Sequence, residues 1–443
     1  MRILVLVSSD LYVRSFLRSG AFDELAASNE VVWLAQSDLT YAEDVAGRPG
    51  FLGTIPNDER RSKAYDLLRV MYMMARRRRA RSMAIRLSIM PRRGRIKVRL
   101  YSLPGVSRLV RAVVLRRLGP NLALRRALED ASPDLVVAPT AGTDPGVHDL
   151  VQEAATLGIP SLLLFNGWDN ISTKTWFIRL PDYIGVWGEQ SVDHAVAIHG
   201  FQRDRVFPLG VPTFRRHFEM AGRDLPSPYP FRYVLFAGCA LPFDERSALA
   251  ELDAELNRSG PDDVRIVYRP HPWRHQRAAD DAVCEDDFRT VTIDQQVRAQ
   301  YLAAQGRGAA LGPEDFLPSL DYYPALLSNA ELVVCPLSTM VVESAILERP
   351  VLILAYDDKI HKLPPSVVAR SDHFDGINDI DGFETADRIE EVGPALSAML
   401  RRPAGSTPPL QPQLQHWLFF DDRTYGQRLA TLVAGLPVSD REV

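Results

Sequence analysis

The chain has 443 residues, 46% of them hydrophobic and 24% charged, a balance that excludes a disordered chain. One hydrophobic core stops growing well short of this length, so two domains are expected. The formal net charge of −4 hides an asymmetry, because the stretch from Leu67 to Leu128 holds eighteen Arg or Lys and no Asp or Glu. The cysteines, Cys239, Cys284 and Cys335, stand at wide, irregular spacing with no Cys-x-x-Cys and no partner histidines, which excludes a disulfide framework and a zinc site. Cys335 in ELVVCPL and Cys239 after YVLFAG read as buried structural thiols.

Met1 to Ser8 is a short apolar run that soon meets Asp10, Arg14 and Arg18, so it predicts a buried first strand and not a signal peptide. No run approaches the ~20 apolar residues that a bilayer crossing needs, and a cytoplasmic protein is expected. An amphipathic stretch with Phe16, Leu17, Phe22 and Leu25 follows, then a second apolar run, VVWLA, at 31 to 35. Strand, helix, strand begins a parallel sheet buried on both faces. The pattern resumes with a helix near 121 to 131, the run DLVVAPT, a helix near 146 to 157 and the strand IPSLLLFN. YIGVW, a helical stretch from Ser191 to His199, and RVFPLG complete the cycle.

Residues 221 to 230, AGRDLPSPYP, collect Pro, Gly and Ser and read as a linker. A second cycle follows: RYVLFAG, a helix to about Asn257, RIVYRP, a poorly patterned stretch, a helix at 322 to 329, ELVVCP, a helix from about Met340 to Leu347, and PVLILAY. The expected organisation is α/β throughout, with domains at 1–222 and 230–413. The final helical pattern, within 414–443, is expected to pack back on the first domain. Two doubly wound, Rossmann-like domains facing across a cleft follow from this alternation, with ligands at the C-terminal ends of the strands.

Chemistry is therefore sought in the loops after strands. Arg269-Pro270-His271-Pro272-Trp273 leaves the strand RIVY. Its prolines brace a loop carrying a cation and an imidazole, both able to donate to phosphate oxygens. The alternative is a turn with a solvated His. In CPLSTMVVES, Ser338 or Thr339 caps a helix whose N-terminus is an anion site, and Glu343 stands one turn in, within reach of a ribose hydroxyl or the His271 loop; the alternative is plain capping. Gly238 in LFAGC lets a phosphate approach the backbone.

In Asn166-Gly167-Trp168-Asp169-Asn170, with Lys174 following, Trp168 offers a stacking surface, Asn170 an amide and Asp169 a carboxylate for an acceptor's proton. The alternative is an Asx turn with a core Trp. Asp144 in PTAGTDPG competes with Asp169 as the base, and Asp10 in SSD is a third candidate on the acceptor side. Asp357 and Asp358 read as a solvated strand end, and no acidic pair marks a metal site. No Gly-x-Gly-x-x-Gly follows a strand and no P-loop is present, which counts against a dinucleotide oxidoreductase or an ATPase. The arginine block RRRRARSMAIRLSIMPRRGRIKVRL, with methionines and leucines interleaved, is either a basic face for anionic lipid or a solvated helical insertion. Nucleic-acid binding lacks a fold signature.

WDNISTKTW, the segment from PDYIGVWGEQ to FPLGVPTF, the RPHP loop, CPLSTMVVESAILERPVLIL and FFDDRTYGQRLA together resemble bacterial surface-polysaccharide glycosyltransferases of the GT-B type. They are similar to the CDP-glycerol glycerophosphotransferases, and more distantly to capsule transferases and UDP-N-acetylglucosamine 2-epimerase; the order His-Pro then Ser-Thr also occurs in bacterial sialyl- and polysialyltransferases. The resemblance spans roughly residues 130 to 430. It implies a metal-independent transferase without a cofactor, acting on a nucleotide-sugar or CDP-polyol donor and a glycan or lipid-linked acceptor. By this likeness His271, Ser338 and Thr339 hold the donor's phosphates and Glu343 sits near the ribose. Leu-Ser-Thr-Met stands where the epimerases carry a Ser-Gly-Gly run. Two other readings stay open: an epimerase on the same fold, and a non-catalytic nucleotide- or nucleic-acid-binding protein.

Overall fold

The computed structural model describes residues 1–240, 243–271, 283–307, 322–403 and 405–437. They form two compact units, Met1–Arg215 with Gln415–Val443, and Arg216–Leu414. Pro272 and Trp273, the end of the proline-braced loop, lie outside the described residues.

In the first unit the described strands are β1 (Arg2–Val7), β2 (Glu30–Gln36), β3 (Phe51–Ile55), β4 (Leu135–Thr140), β5 (Ser161–Phe165), β6 (Tyr183–Val186) and β7 (Val206–Pro208). They pair in parallel in the order β3-β2-β1-β4-β5-β6-β7. The apolar runs are continuous because both faces of the sheet are covered. On one face Leu4, Val136 and Leu163 join the helices Leu122–Ala131 and Pro145–Thr156. On the other, Val5, Val137 and Leu162 meet Phe16, Phe22, Tyr425, Leu429 and Val433. The last three belong to the C-terminal helix Tyr425–Gly435, opened by a Thr424–Gln427 capping box. The chain reaches that helix beside the loop after β7, where Gly210 has φ +77° and a Cβ would lie 2.3 Å from the Phe419 carbonyl oxygen. Only glycine fits there.

The arginine-rich segment forms four helices, Glu59–Arg76, Arg81–Ser88, Arg92–Tyr101 and Pro104–Leu118. The first two bury Tyr65, Leu68, Met71, Met74, Met83 and Leu87 with Trp176 in a core that Val98 of the third helix joins. Val110, Val114, Leu115 and Leu118 of the fourth pack against it, half-buried. No residue of Pro104–Leu118 is buried, and Ile96 and Leu100 stand exposed at i, i+4, as do Val106, Leu109 and Val113 at i, i+3, i+7. Each spacing places these apolar side chains on one helical face. No helix of the described residues is long and apolar enough to cross a membrane.

In the second unit the described strands are β8 (Arg232–Ala237), β9 (Val264–Arg269), β10 (Val291–Ile293), β11 (Ala330–Pro336), β12 (Val351–Leu354) and β13 (Phe383–Ala386). They pair in parallel in the order β10-β9-β8-β11-β12-β13, the first unit's winding repeated without its last strand. The core runs from Val234 and Phe236 through Leu249, Ile266, Val334 and Leu352 to Leu396. The expected solvated strand end at Asp358 is corrected here. Its side chain is 2% exposed and contacts His361 Nδ1 at 2.6 Å, and it accepts from the amides of Asp244, Ile360 and His361. Burial raises its pKa, yet these bonds outweigh it and hold the carboxyl below its usual range.

Candidate functional site

In a doubly wound sheet the strand order reverses at one point, and the connections leaving that point on opposite faces open a crevice at the strands' C-terminal ends. In the second unit the reversal lies between β8 and β11. Phe236 pairs with Val334 and Ala237 with Arg269, so the loops after β8, β9 and β11 leave one edge side by side. β9 and β11 flank β8, which sets the His271 and Ser338 loops roughly 10 Å apart, two strand spacings.

Ser338 is the N-cap of the helix Thr339–Ile346 and accepts from the Met340 amide at 3.3 Å. Thr339 is exposed at its first turn, and His271 is half-buried. Free amides, two hydroxyls and the positive end of a helix dipole make this edge attractive to phosphate. Burial pushes the Cys335 thiol well above its usual range, and the neighbouring Cys239 adds to this, which leaves an inert thiol in place of a nucleophile.

Three expectations at this edge are corrected by their neighbours. Arg269 is 5% exposed and pairs with the wholly buried Asp294 at 2.5 Å, so its charge is already matched and it braces the end of β9. Gly238 does not leave room for phosphate: a Cβ there would stand 3.0 Å from both Glu245 Oε2 and the His271 amide nitrogen. The Glu245 carboxylate accepts from the Cys239 amide at 3.0 Å and from the Tyr268 hydroxyl at 2.6 Å. An internal anion thus fills the position foreseen for an external one. Glu343, 9% exposed, meets His217 Nε2 at 3.2 Å instead of the His271 loop.

In the first unit the candidate carboxylates have different fates. Asp144 accepts from the Tyr12 hydroxyl at 2.9 Å, the Thr140 hydroxyl at 2.6 Å and the Ala141 amide at 3.2 Å. Asp10 accepts from the amides of Thr40 and Tyr41. Both carboxylates are tied into loop structure, whereas the base expected of Asp144 needs a free lone pair facing an acceptor. Trp168 is 2% exposed and stacked on Trp187, and Asn170 is 1% exposed and donates to Asn166. Neither presents the surface expected of it.

Asp169 and Lys174 differ from these. Their side chains are 31% and 26% exposed and lie 3.6 Å apart. Lys174 lines a cavity of about 380 Å³ together with Tyr65, Arg69, Arg86, Thr143 and Trp176. Thr143 follows β4, Lys174 follows β5, and the arginines come from the first two inserted helices. Arg86 was not foreseen, since one arginine in a block of eighteen cations carries no distinguishing signal. Among the described residues no group of three or more His, Cys, Asp or Glu is arranged to hold a metal.

The wall of this cavity rests on a buried network. Tyr65 donates to Asp149 at 2.5 Å, and Arg61 pairs with the same carboxylate at 2.9 Å. The rings of His148, Tyr65 and Trp176 form one cluster, His148 and Trp176 with centroids 4.2 Å apart. Burial lowers the His148 pKa to about 3, against a contact with the Gly142 backbone that raises it. The unfolded chain takes up this proton near pH 6.5 and the folded chain only near 3. Stability is therefore untouched above about 6.5 and falls as the pH drops below it, by ~2 kcal/mol at pH 5. A plot of Tm against pH between 7.5 and 5 is expected to fall more steeply for the wild type than for His148→Phe; parallel curves would contradict the assignment.

No family model matches the chain, and no curated protein matches its sequence. Solved structures resemble it in fold. UDP-GlcNAc 2-epimerase from Methanocaldococcus jannaschii is 12% identical with a TM-score of 0.51, covering 98% of this chain and 100% of that one. The same enzyme in complex with UDP-GlcNAc and UDP gives 0.52 at 12% identity, over 98% and 99%. UDP-N-acetylglucosamine 2-epimerase from Rickettsia bellii gives 0.53 at 12% identity, over 98% and 96%. At such identity the likeness is one of fold: two doubly wound α/β units of the GT-B type.

Proposed function

We propose that the chain is a GT-B group transferase, moving a sugar or polyol unit from a nucleotide-activated donor to a glycan or lipid-linked acceptor. The observation that carries this reading is the cavity within the first unit, with Asp169 and Lys174 beside it. An isomerase needs one substrate site. A transferase needs a second, and a charged cavity at the strand ends of the unit that lacks the Ser338 edge supplies a place for it.

In this reading the donor's diphosphate lies on the N-terminus of Thr339–Ile346, with Ser338, Thr339 and His271 donating to its oxygens and Glu343 accepting from a ribose hydroxyl. As the acceptor oxygen bonds to the transferred group, its proton passes to Asp169, and the bond to the nucleotide's phosphate breaks. The charge that develops on the leaving phosphate is met by fixed donors, without a metal ion or a cofactor. The donor class agrees with the resemblance to CDP-glycerol transferases and with a nucleotide-sugar alike.

The epimerase reading is kept because the solved structures of similar fold carry that activity in their names. The helices Arg92–Tyr101 and Pro104–Leu118 favour a peripheral place for the enzyme. Their exposed apolar stripes lie in a field of cations with no acid, which suits an anionic lipid surface, each cation adding ~1 kcal/mol. One assay tests these points together. Purified protein is given UDP-GlcNAc, UDP-glucose or CDP-glycerol, with and without phosphatidylglycerol vesicles carrying a lipid-linked glycan. The expected result is nucleotide release that requires acceptor, and co-sedimentation with the vesicles that salt reverses. Conversion of a nucleotide sugar to its isomer without acceptor would establish the epimerase instead.

A further inference from the structure

Three cations line the cavity of the first unit, and two carboxylates answer them. Arg69 is paired with Asp66 at 2.8 Å, and Lys174 meets Asp169 at 3.6 Å. Arg86 is left over. Its guanidinium makes no hydrogen bond or ion pair with any described residue. Desolvation at the wall and the like charge of Arg69 lower its pKa, and the more distant Asp169 opposes them. An arginine beside another arginine, with no carboxylate in contact, leaves two like charges close together in the empty protein. A bound anion offsets that repulsion.

We infer that this cavity is a recognition site for a phosphate monoester, the anionic group of the second substrate, with Arg86 as its principal ligand and Arg69 and Lys174 beside it. The deepening to a substrate class rests on the transferase reading, whereas the binding site itself does not. Two guanidinium forks and an ammonium around one space suit a tetrahedral dianion with several oxygens better than a single carboxylate, which one fork satisfies. The cavity, about 380 Å³, falls in the range of small-molecule sites and exceeds the needs of a bare phosphate. The remaining wall is Tyr65, Trp176 and Pro145 with Ser62 and Thr143, and the Asp66 carboxylate that pairs with Arg69, so it accepts an organic body that is partly apolar and bears hydroxyls. When the phosphate takes Lys174, the Asp169 carboxylate loses that ion pair and is free to take the acceptor's proton. Occupancy of the site is thereby coupled to the proposed base.

The phosphate monoester has two sources, a soluble polyol phosphate and a lipid headgroup. Calorimetry on the full chain uses glycerol 3-phosphate for the first. Phosphatidylcholine vesicles with and without phosphatidic acid serve for the second. Arg86→Gln is expected to weaken binding of one of these probes roughly ten- to hundredfold, the worth of a charged hydrogen-bonded contact. Arg86→Lys, which keeps the charge and loses the fork, should fall between. Arg86 is exposed on its helix, and an unchanged Tm shows that the variant folds. Equal affinity of the wild type and Arg86→Gln for both probes, or no binding of either by the wild type, overturns the site. Failure of the transferase reading looks different: glycerol 3-phosphate binds through Arg86 while no donor releases nucleotide in its presence.

Discussion

Asp294→Ala is expected to destabilise the second unit by ~3–5 kcal/mol, the loss typical when one member of a buried ion pair is removed. Asp294 is 0% exposed and gathers four donors: the Arg269 guanidinium at 2.5 Å, the Tyr229 hydroxyl at 3.0 Å, the Tyr322 hydroxyl at 2.5 Å and the Gln296 amide at 3.3 Å. Burial and the charge of Asp294 push the Tyr229 and Tyr322 phenols up, so both stay protonated donors at any working pH. Without the carboxylate, a guanidinium that is 5% exposed keeps its charge in a low-dielectric interior with one Tyr323 ring, 5.0 Å away, as partial compensation. Urea unfolding of the full chain followed by far-UV circular dichroism measures the loss. The double change Asp294→Leu with Arg269→Met should recover most of it, because an apolar pair has no charge to desolvate. A loss under 1 kcal/mol would mean that water reaches Arg269. The result bears on function as well, since Arg269 ends β9 and the His271 loop starts from it.

The interior of both sheets was legible because strands covered on two faces are forced to be apolar throughout. Ile3 to Val7, Leu135 to Ala138 and Leu352 to Leu354 are all at or near zero exposure, and their sequence runs stand out from any background. Three of the four edge strands were not legible. β3 alternates half-buried and exposed residues, β13 buries two of four, and β10 has three residues in all, so none carries a run or a period long enough to detect. The arginine-rich helices hid for another reason: methionine and leucine supply their core, and the abundance of cations masks the 3.6-residue period. At the site, strand-end position and the capping serine are local features and could be read. The choice among carboxylates could not. Asp10, Asp144 and Asp169 all follow strands with small polar neighbours, and what separates them is tertiary, chiefly the Tyr12 hydroxyl that reaches Asp144 across 132 positions. The same holds for Gly238, where a helix residue, Glu245, occupies the space that local sequence left open.

Asp169→Asn is expected to lower transfer ~10²–10⁴-fold, the usual contribution of a positioned general base. The substitution keeps the side chain's shape and removes the proton acceptor. It also removes the pair with Lys174, but at 31% and 26% exposure that pair is worth only ~0–1 kcal/mol, so folding should be unaffected. Donor affinity should be unaffected too, because the phosphate-binding edge belongs to the other unit. His271→Ala makes the informative partner. In the proposed reading it removes a donor to the leaving group, which should cost about 10²-fold in transfer and should also depress the slow hydrolysis of donor by water, a reaction that needs leaving-group stabilisation but not the acceptor's base. The two variants are therefore separable by one ratio. Asp169→Asn lowers transfer far more than hydrolysis, and His271→Ala lowers both alike. Were Asp169→Asn to turn over donor and acceptor at the wild-type rate, the proton would have to leave by another route, and with Asp144 and Asp10 committed to loop structure the first unit would hold no carboxylate yet named that could take it.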